Sequence, residues 1–410
     1  MNLFLKLSQF FLYIFLVAFP FGQLTRIRLP LLPVEVRVYL TDVSLILLLV
    51  SWLLWHLSAK IRIRFSSLIG PILAFFAVGF LSLLANISRL SIKETLVSSL
   101  YLIRWLVYAG LYLSIFDLNH QVKMKSFLTH RLKLYLMVLS VTVAFFGLVQ
   151  YLLWPDLRTF EAANWDPHYY RVVSTFLDPG FTGLILVFGL ILIISFFAQA
   201  SFVNKKKILI FAAVIIYLSF ALTYSRTSYL AYLVAAGIIA WKKRSFRFFG
   251  LAFIILLLTI VILPRPGGEG VRLERWASIE ARIKNWQQAT EIFLDHPLLG
   301  VGFNAYRYAA RDYGFLGHDW QENHAGAGSD SSLLLVLATT GLPGLVTYLW
   351  LWLGIFNLIR RKEKNKPGQF GLFILATLAA LGVHSFFLNS LFYAWIMAWY
   401  WMMIVILEIE

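Results

Sequence analysis

Long apolar segments recur along almost the whole chain and are separated by short polar stretches. A helix of about 18 or more apolar residues is long enough to cross the ~30 Å hydrocarbon core of a membrane. We predict twelve such spans, near residues 3–21, 38–57, 67–86, 94–116, 134–154, 180–200, 208–223, 227–241, 248–263, 331–359, 369–389 and 391–408. The predicted fold class is all-α: a polytopic transmembrane helical bundle of about 12 spans with a large, partly helical extracytoplasmic loop.

The predicted spans divide the chain into three parts. Residues 1–263 hold nine spans with short loops and an outer loop near 155–179. Residues 264–329 form the large extracytoplasmic loop, and residues 330–410 hold the last three spans. An even number of spans places both termini on the same side of the membrane.

Composition and charge agree with a membrane protein and orient it. Hydrophobic residues make up 60% of the chain and charged residues only 14%, far from the values of a soluble domain. Twenty of the 36 lysines and arginines lie in the loops on the N-terminal side, so the positive-inside rule places that side in the cytoplasm. The net charge of +16 suits a membrane surface, and the loops contain no nucleic-acid-binding module. The absence of cysteine excludes thiol nucleophiles and disulfides.

The basic residues of the outer side are mostly arginines. This side has thirteen arginines and two lysines, whereas the cytoplasmic side is richer in lysine. Because a guanidinium grips phosphate or carboxylate with two parallel hydrogen bonds, we expect an anionic ligand on the outer face. The alternative is that arginine merely tolerates interfacial burial. Arg226 lies in the tight turn between spans seven and eight, and Arg104, inside the fourth span, should face a cavity or a partner rather than lipid.

The large loop contains an amphipathic pattern. Apolar and aromatic residues recur at spacings of three and four, which predicts a helix lying on the membrane surface; they are Trp276, Ile279, Ile283, Trp286 and Phe293. Arg275 and Arg282 flank this stripe, so we expect both at the boundary between the membrane surface and water.

A polar segment, NHAGAGSDSS, directly precedes the tenth span. Asp330, with Ser329, is placed to cap that helix, and the sequence from Gly341 to Gly344 should break it about ten residues later. Acidic and histidine side chains gather before it, at His318, Asp319, Glu322, His324 and Asp330. Their spacing matches no known metal motif, so we predict no metal site and no cofactor.

Four segments carry a family resemblance. They are RVVSTFLDPGFTG, TYSRTSYLAYLVA, RIKNWQQATEIFLDHPLLGVGFNAYR and SDSSLLLVLATTGLPGL. In this order, with the large loop between late spans, the chain resembles the O-antigen ligase and O-antigen polymerase superfamily of bacterial membrane glycosyltransferases over nearly its full length.

The resemblance implies a substrate, a location and site residues. The donor would be a glycan on polyprenyl pyrophosphate at the outer face of the bacterial cytoplasmic membrane, and the acceptor a glycan or lipid. The transfer would invert the anomeric centre without a metal. The arginines that hold the pyrophosphate in the family map onto Arg226 and Arg282, with Arg171, Arg104 and Arg275 as further candidates.

The resemblance departs from the family pattern at the expected catalytic base. Ligases usually carry a histidine eleven residues before the glycine that is Gly341 here, and this chain has Asp330 at that position. Either the Asp330 carboxylate or the His324 imidazole is therefore the expected base. The alternative function is a flippase or transporter of lipid-linked saccharides, although a transporter should show repeat symmetry and several charged residues near the midplane.

Overall fold

The predicted all-α fold is confirmed, and each predicted span has a helix at its position. The structure, a computed structural model, describes residues 2–27, 33, 36–122, 125–163, 167–197, 205–267, 269–274, 276–317, 320, 328–365 and 369–409. Its helices are α1 (Leu3–Ala18), α2 (Leu40–Ala59), α3 (Ile69–Ala85), α4 (Ile92–Val122), α5 (Lys125–Leu153), α6 (Pro179–Phe197), α7 (Lys206–Ala221), α8 (Arg226–Lys242), α9 (Phe246–Ile262), α10 (Ala277–Asp295), α11 (Tyr306–Asp312), α12 (Ser332–Asn365), α13 (Gln369–His384) and α14 (Ala394–Ile409). A short antiparallel hairpin of β1 (Arg26–Ile27) and β2 (Val38–Tyr39) joins α1 to α2.

Fewer helices are long and apolar enough to cross a membrane than the bundle contains. Within the described residues, six helical segments are long and apolar enough to cross, namely Leu3–Thr25, Leu40–Ala59, Ile92–Gln121, Arg131–Leu153, Pro179–Phe197 and Ser332–Lys364. Four further apolar helices, Ile69–Ala85, Phe246–Ile262, Phe370–His384 and Ala394–Ile409, are shorter. The predicted count of about twelve spans is therefore not established by length and composition.

Helix α14 lies at the centre of the bundle. Nearly all of its residues are buried, including three tryptophans, Trp395, Trp399 and Trp401. It packs against α4, α5, α12 and α13, and α6 is almost as completely enclosed. A helix that is apolar on every side is typical of a protein core or of a membrane span, and α14 is enclosed by other helices. This core holds the ends of the neighbouring helices in fixed relative positions.

Hydrogen bonds connect separate chain segments at the two opposite ends of the bundle. At one end Ser66 and Tyr112 hydrogen-bond the carboxylate of Glu408. At the other end the Gln23 side chain donates to the Phe176 carbonyl at 2.7 Å. The assignment of the first end to the cytoplasm stays a prediction.

The orientation is testable by cysteine labelling, because the chain has no native cysteine. Ser67 precedes α3 at the lysine-rich end and Ala281 lies on α10, and both are exposed. We expect an impermeant thiol reagent to label Ala281→Cys in intact cells and Ser67→Cys only after the membrane is opened. Equal labelling of both variants in intact cells would contradict the orientation.

Helix α12 contains the predicted break, and the large loop packs into it. Gly341 has φ 67° and ψ −166°, a backbone conformation that residues other than glycine rarely adopt. The carbonyls of residues 338 and 339 accept hydrogen bonds from Val301 at 3.0 Å and Gly302 at 3.1 Å, and Leu342 donates to the Pro297 carbonyl at 2.9 Å. Backbone hydrogen bonds at the break therefore attach the large loop to α12.

The predicted cap of α12 is wrong by one residue. The helix begins at Ser332, and the carbonyl of Ser331 accepts the first helical hydrogen bond, from Leu335 at 2.9 Å. The Ser331 hydroxyl also accepts from the Leu334 N–H at 3.5 Å. Serine caps as well as aspartate does, so the cap does not account for Asp330.

Candidate functional site

Arg226 is the first residue of α8, directly after the tight turn from α7. Ser225 caps the helix, since its hydroxyl accepts from the Ser228 N–H at 3.3 Å. The Arg226 guanidinium donates to the Leu273 carbonyl at 3.2 Å and to the Ser278 hydroxyl. Arg226 thus lies at a helix N-terminus, where the backbone also favours anions, and it contacts the large loop directly.

Arg171 supports the turn that carries Arg226. Its side chain is buried, and its Nε and Nη2 donate to the carbonyls of Thr223 at 3.0 Å and Tyr224 at 3.4 Å. These carbonyls lie just past the end of α7, where backbone acceptors lack helical partners. The structure thus places Arg171 against the back of this turn.

Helix α10 turns a polar face towards the bundle. Ser278, Arg282 and Asn285 recur at spacings of four and three, so they share one side of the helix. The same side continues with Ala289 and Ile292, which are fully buried.

The predicted apolar stripe lies largely on the other side of α10. Trp276, Ile279 and Ile283 are 74%, 37% and 46% exposed. Arg282 shares the bundle side of the helix with Ser278 and Asn285, and its expected position at the boundary between the membrane surface and water stays a prediction. The polar contacts of the bundle select that side, and periodicity alone does not show them.

Arg282 lies near several charged groups. Within the described part of the chain it donates no hydrogen bond and forms no ion pair. Burial lowers the pKa of Arg282; the carboxylate of Asp330 raises it, Arg226 lowers it and Asp178 raises it. The structure therefore brings together three residues expected from the sequence, Arg226, Arg282 and Asp330, and adds Asp178.

Asn285 holds the polar segment that carries Asp330. Its side-chain oxygen accepts the Asp330 N–H at 2.8 Å and the Ser329 hydroxyl at 3.1 Å. Because Asn285 is one turn from Arg282, a single helix face fixes the arginine and the carboxylate relative to each other. We use "hinge" for residues 328–331 from here on.

Two residues of the site region were not anticipated. Asp178 caps α6, accepting the Phe181 N–H at 2.8 Å. His384 at the end of α13 is fully buried, with Nδ1 2.6 Å from the Ser390 hydroxyl and Nε2 3.2 Å from the Gly180 carbonyl. The Asp-Pro-Gly order at the start of a span signals the cap, whereas the lone histidine in an apolar segment gives no sign of its partners.

Arg104 lies in a separate setting. Its Nη2 donates to Asp42 at 2.8 Å and to the Arg37 carbonyl, and its guanidinium lies 5.0 Å from the centre of the Tyr101 ring. The expectation that it faces a partner is confirmed, and it also lines a cavity of about 110 Å³ together with Tyr101 and Val38.

Several predicted residues lie outside the described residues. They are Arg275 and His324, together with His318, Asp319 and Glu322. Among the residues that the structure does describe, no group of three or more histidine, aspartate or glutamate side chains is arranged to hold a metal ion.

Part of the chain is similar to a known protein family. Residues 211–349 match the family model described as O-antigen ligase (Wzy_C). This match begins in α7, includes Arg226, Arg282 and Asp330, and ends in α12 just past the Gly341 break. No curated protein matches the chain significantly.

Proposed function

We propose that this chain, a membrane protein of the O-antigen ligase superfamily by the domain at residues 211–349, transfers or polymerises polyprenyl-pyrophosphate-linked glycans at the outer face of the cytoplasmic membrane. The family domain and the apolar helices support a membrane enzyme of glycan assembly. The pyrophosphate-linked donor and the side of the membrane are parts of the proposal.

The observation that carries the proposal is the pairing of Arg226 with Arg282. The like charges of Arg226 and Arg282 repel each other, the carboxylates of Asp330 and Asp178 offset part of that repulsion, and Arg282 has no hydrogen-bond acceptor among the described residues. An anion between the two guanidiniums removes the repulsion and accepts their hydrogen bonds. A pyrophosphate carries the charge and the oxygens for both, and the N-terminus of α8 adds backbone dipoles of the same sign.

The proposed reaction is a direct displacement. Asp330 accepts the proton of an acceptor hydroxyl, whose oxygen forms a bond to the anomeric carbon as the bond from that carbon to the pyrophosphate oxygen breaks. The electron pair leaves with the pyrophosphate, where Arg226 and Arg282 stabilise the developing charge. Attack opposite the leaving group inverts the anomeric centre, and the mechanism uses no metal. His324 remains the alternative base, and Arg171 keeps the Arg226 turn in place.

The products in cells test the proposal. Mass analysis of lipid-linked glycans from a deletion strain should show loss of the long-chain ladder if the protein is a polymerase. A ladder that stays on its lipid carrier indicates a ligase. Accumulation of single units on the cytoplasmic side would instead support a flippase and reject the enzyme.

Asn285 offers a test of the hinge. We expect Asn285→Ala to lower turnover about 10-fold, because the hinge loses two hydrogen bonds, with the KM for the donor unchanged. Asn285→Asp keeps an oxygen that accepts both hydrogen bonds but adds a carboxylate beside Asp330, which disfavours ionisation of Asp330. The acidic limb of the pH profile should therefore move to higher pH in Asn285→Asp. The exposed Gln287→Ala on the same helix is the control, and an unshifted profile in Asn285→Asp would count against Asp330 as the base.

A further inference from the structure

Three buried polar atoms around the hinge have no hydrogen-bond partner in the described structure. They are the indole N–H of Trp286, the hydroxyl of Tyr306 and the side-chain oxygen of Asn389. Tyr306 is 2% exposed. Buried polar groups in proteins are nearly always hydrogen-bonded, because an unmade bond costs about 1–3 kcal/mol.

Asn389 lies beside the hinge, and Trp286 lies beside the chain segment that carries Asn389. Trp286 follows Asn285, which binds the hinge, and its ring lies 5.8 Å from that of Phe387. Asn389 lies two residues after Phe387. A Cβ atom built on Gly328 would lie 3.8 Å from the side-chain nitrogen of Asn389.

Tyr306 approaches the hinge from α11. It interacts electrostatically with Asp330, whose charge, after burial, raises the pKa of Tyr306. It packs in one apolar cluster with Ala289 of α10 and Leu335 of α12. The three unpartnered groups therefore lie on three segments that meet at the hinge.

The chemistry of the set matches a sugar ring. An indole N–H donates, an amide oxygen accepts and a phenol hydroxyl does both, while the two aromatic rings offer apolar faces to C–H groups. A pyranose carries adjacent hydroxyls, each both donor and acceptor. A buried site of unpaired polar groups also discriminates strongly against ligands that lack the matching hydroxyls.

We propose that Trp286, Tyr306 and Asn389 form an acceptor subsite that binds a pyranose and presents one of its hydroxyls to Asp330. The subsite rests on the proposed transfer function for its role, but not for its ability to bind a sugar. It selects the acceptor, whereas Arg226 and Arg282 hold the donor.

Tyr306→Phe separates this role from a structural one. The variant removes a hydroxyl that has no described partner, so the unfolding temperature should stay the same or rise. The KM for the acceptor glycan should increase about 3- to 10-fold through loss of one hydrogen bond, with the KM for the lipid-linked donor unchanged. Trp286→Phe should act in the same direction. The matched control is Tyr313→Phe, whose hydroxyl binds Asp295 at 2.6 Å and does not face the hinge.

A binding measurement keeps the subsite distinct from the transfer activity. Methyl glycosides of glucose, galactose and N-acetylglucosamine, at millimolar concentration, should include one that raises the unfolding temperature of the unchanged protein but not of Tyr306→Phe. If the unchanged protein transfers no glycan but still shows this difference, the subsite stands and the transfer function fails. A lower unfolding temperature in Tyr306→Phe with an unchanged acceptor KM overturns the subsite. The subsite is also overturned if Tyr306→Phe leaves the acceptor KM unchanged and none of the three glycosides stabilises the unchanged protein.

Discussion

Asp330→Asn is expected to lower turnover about 10²- to 10⁴-fold, the usual contribution of a positioned general base. Asparagine matches aspartate in size and retains the backbone N–H that Asn285 holds at 2.8 Å. It cannot accept a proton from the acceptor hydroxyl. Because Ser331 caps α12, the substitution removes no helix cap, and expression and unfolding temperature should not change. Turnover of the purified protein with its lipid-linked donor measures the effect.

His324→Ala is the companion variant that assigns the base. It should retain clear activity if Asp330 accepts the proton. Near-normal turnover in Asp330→Asn together with collapse in His324→Ala would transfer the role to the histidine. A large loss in both variants would mean that the two side chains work as a pair.

The helices of the bundle could be predicted from the sequence because hydrophobic periodicity encodes them directly. The break at Gly341 was equally predictable, since the Gly-Leu-Pro-Gly order combines a residue that tolerates positive φ with one that lacks an N–H. The cap at Ser331 was missed because four consecutive residues, Ser329 to Ser332, are all able to cap. The choice among them depends on where the loop leaves Asn285, which is a tertiary contact.

The arginines of the candidate site could be named from the sequence, but their arrangement in the structure could not. The stripe of Trp276, Ile279 and Ile283 was expected to lie on a membrane surface and is exposed, whereas Arg282 lies on the side of α10 that faces the bundle. In a membrane protein an apolar face is free to meet lipid, so periodicity does not tell which face is internal. The partner of Arg104 was expected in kind, but its identity as Asp42, 62 residues away, follows only from the packing of α2 on α4.

The two arginines of the proposed donor site differ in how they should respond to substitution by lysine. Arg226 binds Leu273 and Ser278 of the large loop, so Arg226→Lys should loosen the loop as well as the anion site. Arg282 has no described hydrogen-bond partner to lose, which makes Arg282→Lys the cleaner variant. The matched control is Arg265→Lys, an exposed arginine of the same loop that pairs with Glu274 at 2.9 Å. Exposed pairs of this kind contribute little.

Arg282→Lys is expected to lower kcat/KM on the order of 10²-fold while the protein inserts and folds normally. Lysine preserves the charge but not the planar fork that binds two phosphate oxygens at once, and losing one preorganised donor to a leaving group typically costs about this much. The compact ammonium is also more strongly hydrated, so the partly buried position that lowers the pKa of Arg282 should disfavour charged lysine further. Activity of Arg282→Lys should therefore fall more steeply at alkaline pH than that of the unchanged protein. Parallel pH profiles and near-normal kcat/KM would show that Arg282 serves only to anchor α10.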